Sequence, residues 1–158
     1  MNSRLWTVAA SLVFSALLLS CAGRGSDFRV HDIDYRGWAG SDPIYLYYDN
    51  TDTVSARQLY LLLRLTGSIP YSALRMEVET LSPAGIFWCD TVSLVAPAAD
   101  GPGTFNDLRV LYRSGVRLGE AGNYRFRFRQ LSSDTLLRGI AGLGIEVNRE
   151  GHPWARTK

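Results

Sequence analysis

The chain has few histidines, cysteines and lysines, the side chains that most often supply a base, a thiolate or an amine, and their spacing gives them no obvious partners. Its two histidines, His31 and His152, fall in terminal stretches, and no Gly-x-Ser-x-Gly elbow is present, so no nucleophile has a base at a recognisable spacing. Two histidines and the cysteines Cys21 and Cys89 do not assemble a zinc set of the usual motif spacing, and the single lysine is the final residue, Lys158. Asp27, Asp32, Asp34, Asp42, Asp49 and Asp52 crowd one part of the chain. Calcium takes oxygens of this kind, yet no EF-hand loop is present, and the spacing suits solvated turns and strand ends. A carboxylate pair for glycoside hydrolysis needs only to meet in space, but nothing marks any acid as buried. The expectation is no catalytic residue, no metal and no cofactor.

Two patterns suit binding better. In Tyr124-Arg125-Phe126-Arg127-Phe128-Arg129, aromatics alternate strictly with arginines. Strand side chains point to opposite faces in turn, so Arg125, Arg127 and Arg129 share one face at about 6.8 Å spacing. Three guanidinium forks in a row make a candidate partner or anion surface; the competing reading pairs them across the sheet with Glu77 and Glu79. Tyr45 and Tyr47 share a face, Tyr48 lies opposite, and with Trp38 nearby they form a candidate aromatic platform for a sugar ring, or alternatively part of a core.

The elements that must position these residues read as strands. The chain has 158 residues, 46% hydrophobic and 20% charged, with a formal charge of +2. That composition suits one globular domain, excludes a disordered polar tail or polytopic membrane protein, and gives no case for nucleic acid binding. Period-two segments are Leu74 to Glu79 and Tyr124 to Arg129; Leu59 to Leu65 is apolar on both sides, as in a central strand covered by a second layer. Shorter candidates are Ile44 to Tyr48, Thr91 to Val95, Arg109 to Tyr112 and Leu143 to Val147. Breaks are expected at 49–52, 67–70 and 98–103, where Gly, Pro, Asn and Asp gather. The predicted class is all-β, an antiparallel two-layer β-sandwich of about seven to eight strands over residues 28–147.

Ahead of that domain, Arg4 is followed by a mostly apolar stretch from Leu5 to Leu19, then Ser20 and Cys21. This is a secretory signal pattern, and it is short for a membrane span. Leu18-Leu19-Ser20-Cys21 resembles the bacterial lipobox, which implies a lipoprotein signal peptide over 1–20, covalent lipid at Cys21 and attachment to a membrane. Residues 21–27 then read as a tether and 148–158 as a flexible tail. Loss of 1–20 removes Arg4 alone among charged residues, leaving 16 basic and 15 acidic side chains, so the basic balance is no functional signal. Cys89, the remaining thiol, is expected to be buried within the apolar run Ile86-Phe87-Trp88.

The order of features resembles the GldH-type gliding-motility lipoproteins of the Bacteroidetes. The resemblance runs through the lipobox, Trp38, the Tyr-rich strand, Leu59 to Leu65 and Pro70-Tyr71-Ser72-Ala73-Leu74. It continues through Asp90-Thr91-Val92, Tyr112-Arg113, Gly122-Asn123-Tyr124 with Gln130, and Leu137-Arg138-Gly139-Ile140-Ala141-Gly142-Leu143-Gly144-Ile145-Glu146. The loop at Asp100-Gly101-Pro102-Gly103 and the segment Arg109 to Tyr112 depart from the family pattern. The resemblance implies a non-enzymatic envelope protein of the gliding apparatus, linked to type IX secretion and acting through protein partners. Ala22 after Cys21 is not the aspartate that retains some lipoproteins at the inner membrane, so the outer membrane is the expected location. A lipid-anchored glycan-binding module is the alternative.

Overall fold

The computed structural model describes residues 26–66, 73–95 and 105–151. The signal segment, Cys21, the breaks at 67–70 and 98–103, His152 and the rest of the tail lie outside the described residues. Among the described residues every regular element is a strand: β1 (Ser26–Asp32), β2 (Trp38–Ala39), β3 (Ile44–Asn50), β4 (Ala56–Thr66), β5 (Ala73–Leu81), β6 (Phe87–Val95), β7 (Phe105–Arg117), β8 (Gly122–Gln130), β9 (Leu136–Leu137) and β10 (Ile140–Arg149). They form a first sheet in the order β1-β10-β4-β7, a second in the order β3-β8-β5-β6, and a β2-β9 ribbon. All pairings are antiparallel.

The core is what period-two patterning produces when two half-apolar sheets meet. Leu59, Leu61, Leu63 and Leu65 of β4 and Leu143, Ile145 and Val147 of β10 join Ile44, Leu46 and Tyr48 of β3, Met76 and Val78 of β5, and Tyr124, Phe126 and Phe128 of β8. β4 is central, as its sequence predicts, but a second layer covers only its inner side. On the outer side Tyr60 is buried by the Arg109 guanidinium, stacked 3.4 Å from the ring centroid.

The seven strands read from sequence are all present, each longer than its apolar signature. The strands without a sequence-level expectation are β1, an edge strand with charged residues on both sides of its apolar positions, and the two short ribbon strands. β1 begins at Ser26, so pairing with β10 starts inside the segment read as a tether. At the other boundary β10 continues through Asn148, which is buried, and Arg149. Asp49 and Asn50 belong to β3 rather than to the break. Asn50 is buried because its amide donates to the carbonyls of Leu118 and Glu120, both at 2.8 Å, and so holds the β7–β8 connection.

Candidate functional site

Asp52, in the β3–β4 connection, accepts the backbone N–H groups of Val54 and Ser55 at 3.1 and 3.0 Å. It also pairs with Arg57 at 3.1 Å and Arg149 at 2.6 Å. The Ser55 and Val54 hydrogen bonds, with Arg149, hold its carboxyl far below the ordinary carboxylate range. Asp34 caps its own turn by accepting the N–H of Arg36, and Asp27 pairs with Arg29. These aspartates thus brace turns and strand ends.

The outward face of the second sheet carries the arginine stripe and the tyrosines. Register places Glu79 opposite Arg127 and Glu77 opposite Arg129. Arg127 donates to both Glu79 oxygens at 2.8 Å, and Arg129 pairs with Glu77 at 2.8 Å. Two of the three forks are therefore engaged within the sheet. Arg125 instead lies opposite Leu81 and extends over the Tyr45 ring, 5.8 Å from its centroid. Tyr45 and Tyr47 are exposed side by side on β3, next to Arg127 and Arg125 of β8, while Tyr48 is buried opposite.

Trp38 does not join the tyrosines. It is 3% exposed, held in the ribbon opposite Leu137, and its indole N–H donates to the Asp42 carbonyl at 2.8 Å. An aromatic with its polar handle satisfied inside the core offers no ring face to a sugar.

Cys89 is also corrected: it is exposed, not buried. On β6 the inward positions are Trp88, Asp90, Val92 and Leu94, so Cys89 falls on the outer face opposite Glu79. Hydropathy of the run Ile86 to Cys89 did not reveal this parity; Ile86 and Phe87 are themselves exposed. The ligand atoms of Cys89, Glu77 and Glu79 lie within 4.8 Å of one another. Desolvation, then the charges of Glu77, Glu79 and Asp90, raise the thiol above its ordinary value. Both glutamates already have arginine partners, so the cluster is a compensated ionic network rather than a vacant donor set.

Sequence reading did not foresee the bridge at the β6–β7 side. Asp90 of β6 accepts the Tyr112 hydroxyl and the Arg113 guanidinium of β7, the latter at 2.7 and 2.6 Å. Burial alone would raise the Asp90 carboxyl, but the bonds from Arg113 and Tyr112 outweigh it and hold it below the usual range. Asp90, Tyr112 and Arg113 belong to motifs that are far apart in the chain, so their meeting becomes visible only with the strand order.

On the outer face of the first sheet, register aligns Phe28, Glu146, Tyr60 and Leu111 in one row, Val30, Gly144, Leu62 and Arg109 in the next, and Asp32, Gly142, Arg64 and Asp107 in a third. Gly142 presents no side chain, leaving a trough of about 490 Å³ lined from β1, β4 and β7, while the space over Gly144 is filled by Val30. Arg64–Asp107 at 2.8 Å and Arg109–Glu146 at 2.6 Å flank it.

A family model described as GldH lipoprotein matches residues 28–147. No protein of curated function matches the sequence. Among solved structures, a chain from the T13 particle of infectious bursal disease virus matches at 12% identity with a TM-score of 0.42, over 81% of this chain and 32% of that one. Dimeric latent PorU from Porphyromonas gingivalis matches at 13% identity and 0.34, over 78% and 13%. A carbohydrate-binding module of the β-sandwich superfamily matches at 8% identity and 0.33, over 81% and 54%. The chain spans less than two thirds of the length of each.

Proposed function

The chain belongs to the GldH lipoprotein family and is a non-enzymatic lipoprotein linked to gliding motility and type IX secretion; from that premise we propose that it acts as a lipid-held adaptor for another envelope protein. In this reading Cys21 carries the lipid, the outer membrane is the site of attachment, and the β-domain offers a preformed surface to its partner. The observation that carries the adaptor role is the cluster Tyr45, Tyr47 and Arg125 on the outward face of the second sheet. Tyrosine and arginine supply a large share of binding energy at protein interfaces. Rigid strands hold these side chains in place, so little order would be lost on contact.

The test is copurification of the lipidated protein with gliding or type IX secretion proteins from detergent-solubilised envelopes, comparing the parent chain with Tyr47→Ala and Arg125→Glu. Partner retention should fall at least tenfold in either variant, with the fold unchanged by circular dichroism. Unchanged retention in both overturns the assignment of this face. Charge reversal at Arg127 tests the stripe separately, because it must first break the Glu79 pair.

Exposed Tyr45 and Tyr47, two residues apart on one face, also suit the second reading, a lipid-anchored glycan-binding module. Glycan-array binding that Tyr47→Ala abolishes would favour it over the adaptor role. Mass spectrometry of the mature amino terminus tests the anchor itself: a chain that retains an unmodified Cys21 would exclude it.

A further inference from the structure

The outer face of the first sheet carries an apolar surface that the adaptor reading does not use. Phe28 is 63% exposed, Val30 51%, Phe105 64% and Leu111 47%, and all four lie on this side of the sheet. They are not gathered at a centre. Phe28 and Leu111 sit on the two edge strands of one row, about 14 Å apart across three strand spacings. Phe105 stands six residues along β7 from Leu111, roughly 20 Å away. A protein hot spot concentrates its large side chains in a central, desolvated cluster. Apolar groups spread to the margins of a face, with a trough between them, instead suit a broad and deformable apolar medium.

The charges on the face agree. Arg64 is matched by Asp107 and Arg109 by Glu146, and Asp32 adds one carboxylate whose charge reaches Arg64, so the trough carries no basic patch and at most a single excess negative charge. Such a surface meets zwitterionic headgroups without a large field of either sign.

Chain length supplies the remaining constraint. The polypeptide enters this sheet at Ser26, and β1 carries Phe28 and Val30. Five peptide steps separate Cys21 from Ser26, a reach of at most about 18 Å. A lipid on Cys21 therefore keeps the start of β1 close to the bilayer surface.

We propose that the outer face of the first sheet lies against the bilayer that holds the anchor, with Phe28, Val30, Phe105 and Leu111 at the headgroup–acyl boundary. The inference rests on the reading of Cys21 as the lipidated residue. It makes the anchor and this face two parts of one membrane attachment, and it directs Tyr45, Tyr47 and Arg125 of the second sheet away from the membrane. Partial insertion of several side chains adds to the hydrophobic attachment supplied by the acyl chains.

The test uses the full lipidated protein in a Cys89→Ser background, with a nitroxide attached at Val30→Cys, Phe105→Cys or Leu111→Cys, and at Tyr47→Cys as the control. Each is reconstituted into phosphatidylcholine vesicles and compared with the same labelled domain lacking residues 1–21. On vesicles, the labels at 30, 105 and 111 should become several-fold more accessible to oxygen relative to a water-soluble nickel chelate, while the label at 47 remains unchanged. Vesicle flotation is scored independently. Flotation with aqueous labels at 30, 105 and 111 overturns the orientation and leaves the anchor intact. Labels shielded from both relaxants indicate a contact with protein, a second copy included, and overturn it as well. Failure to float overturns the anchor reading and the orientation with it.

Discussion

The Arg113 guanidinium of β7 grips the Asp90 carboxylate of β6 through both carboxylate oxygens, at 2.7 and 2.6 Å, and so ties an edge of the first sheet to an edge of the second. The residues are 23 positions apart and their strands share no backbone ladder. Their bond, together with the Tyr112 hydroxyl on the same carboxylate, closes one side of the sandwich.

Asp90→Asn should therefore loosen that side without unfolding the core. Arg113 is more than a third exposed, so water screens much of the pair, and the expected loss is about 1 kcal/mol. Tyr112→Phe should cost a similar amount, because the hydroxyl leaves a partly buried acceptor with one donor fewer. Since the three groups act together, the double variant should lose less than the sum of the two singles. Urea titration of the purified domain measures all three; additive losses would show that hydroxyl and guanidinium act independently.

Acid should weaken the domain through the same carboxylate and through Asp52. Both are held below their ordinary range in the folded chain. A carboxyl with a depressed folded pKa contributes stability above its unfolded pKa, near 3.9, and loses it as pH falls towards the folded value. The urea midpoint should stay nearly flat from pH 7 to about pH 5 and fall steadily below that. Asp90→Asn should show a shallower decline, since one of the protons taken up on unfolding is gone. A variant with the parent slope would place the acid sensitivity elsewhere.

Cys89 should be exposed yet slow to react. Thiolate is the reactive form, and desolvation with the charges of Glu77, Glu79 and Asp90 disfavours it. Alkylation by iodoacetamide at pH 7.5 should run several-fold slower than for a free peptide cysteine and accelerate as pH rises past 9. Glu79→Gln should speed it, because the variant removes a neighbouring negative charge and leaves Arg127 without its bidentate partner. A rate equal to that of the peptide in the parent protein would refute the electrostatic account.

The sheets were legible in the sequence because alternation is a local signal. Tyr124 to Arg129 shows both faces of β8 without any knowledge of its neighbours, and Tyr45, Tyr47 and Tyr48 divide between faces as their spacing demands. The cross-strand pairing of Arg127 and Arg129 with Glu79 and Glu77 was legible as an alternative because strands of opposite charge pattern favour that register. What sequence could not supply was the parity of β6 and the place of Trp38. A run of Ile, Phe, Trp and Cys reads as core at either parity, and only the pairing of β6 with β5 puts Cys89 outside. Trp38 lies in a two-residue strand, too short to show a period, and its burial depends on Leu137 about a hundred positions away. The Asp90 bridge required the edge order of both sheets, which no local pattern encodes.

The two glycines of β10 provide a final contrast between fold and surface. Both lie on the outer face of the first sheet and Gly142 lines the trough, but a Cβ at Gly144 would lie 2.7 Å from the Arg29 carbonyl oxygen and 2.9 Å from Val30 Cγ2. The carbonyl belongs to a paired backbone and cannot withdraw without opening the β1–β10 ladder. Gly144→Ala should therefore cost about 1–3 kcal/mol, the range for overpacking a well-filled site, and should first loosen β1. At Gly142 the corresponding contacts are 3.5 Å to the His31 carbonyl oxygen and 3.7 Å to Arg64 Cβ and Val30 Cγ1, all ordinary van der Waals distances. Gly142→Ala should be neutral within about 0.5 kcal/mol, or slightly stabilising through the unfolded chain. Urea midpoints rank the two variants, and amide hydrogen exchange over Ser26–Asp32 locates the damage. Equal stability of the pair would mean that β1 yields freely, and the trough would then be a soft feature of the edge rather than one fixed by close backbone approach.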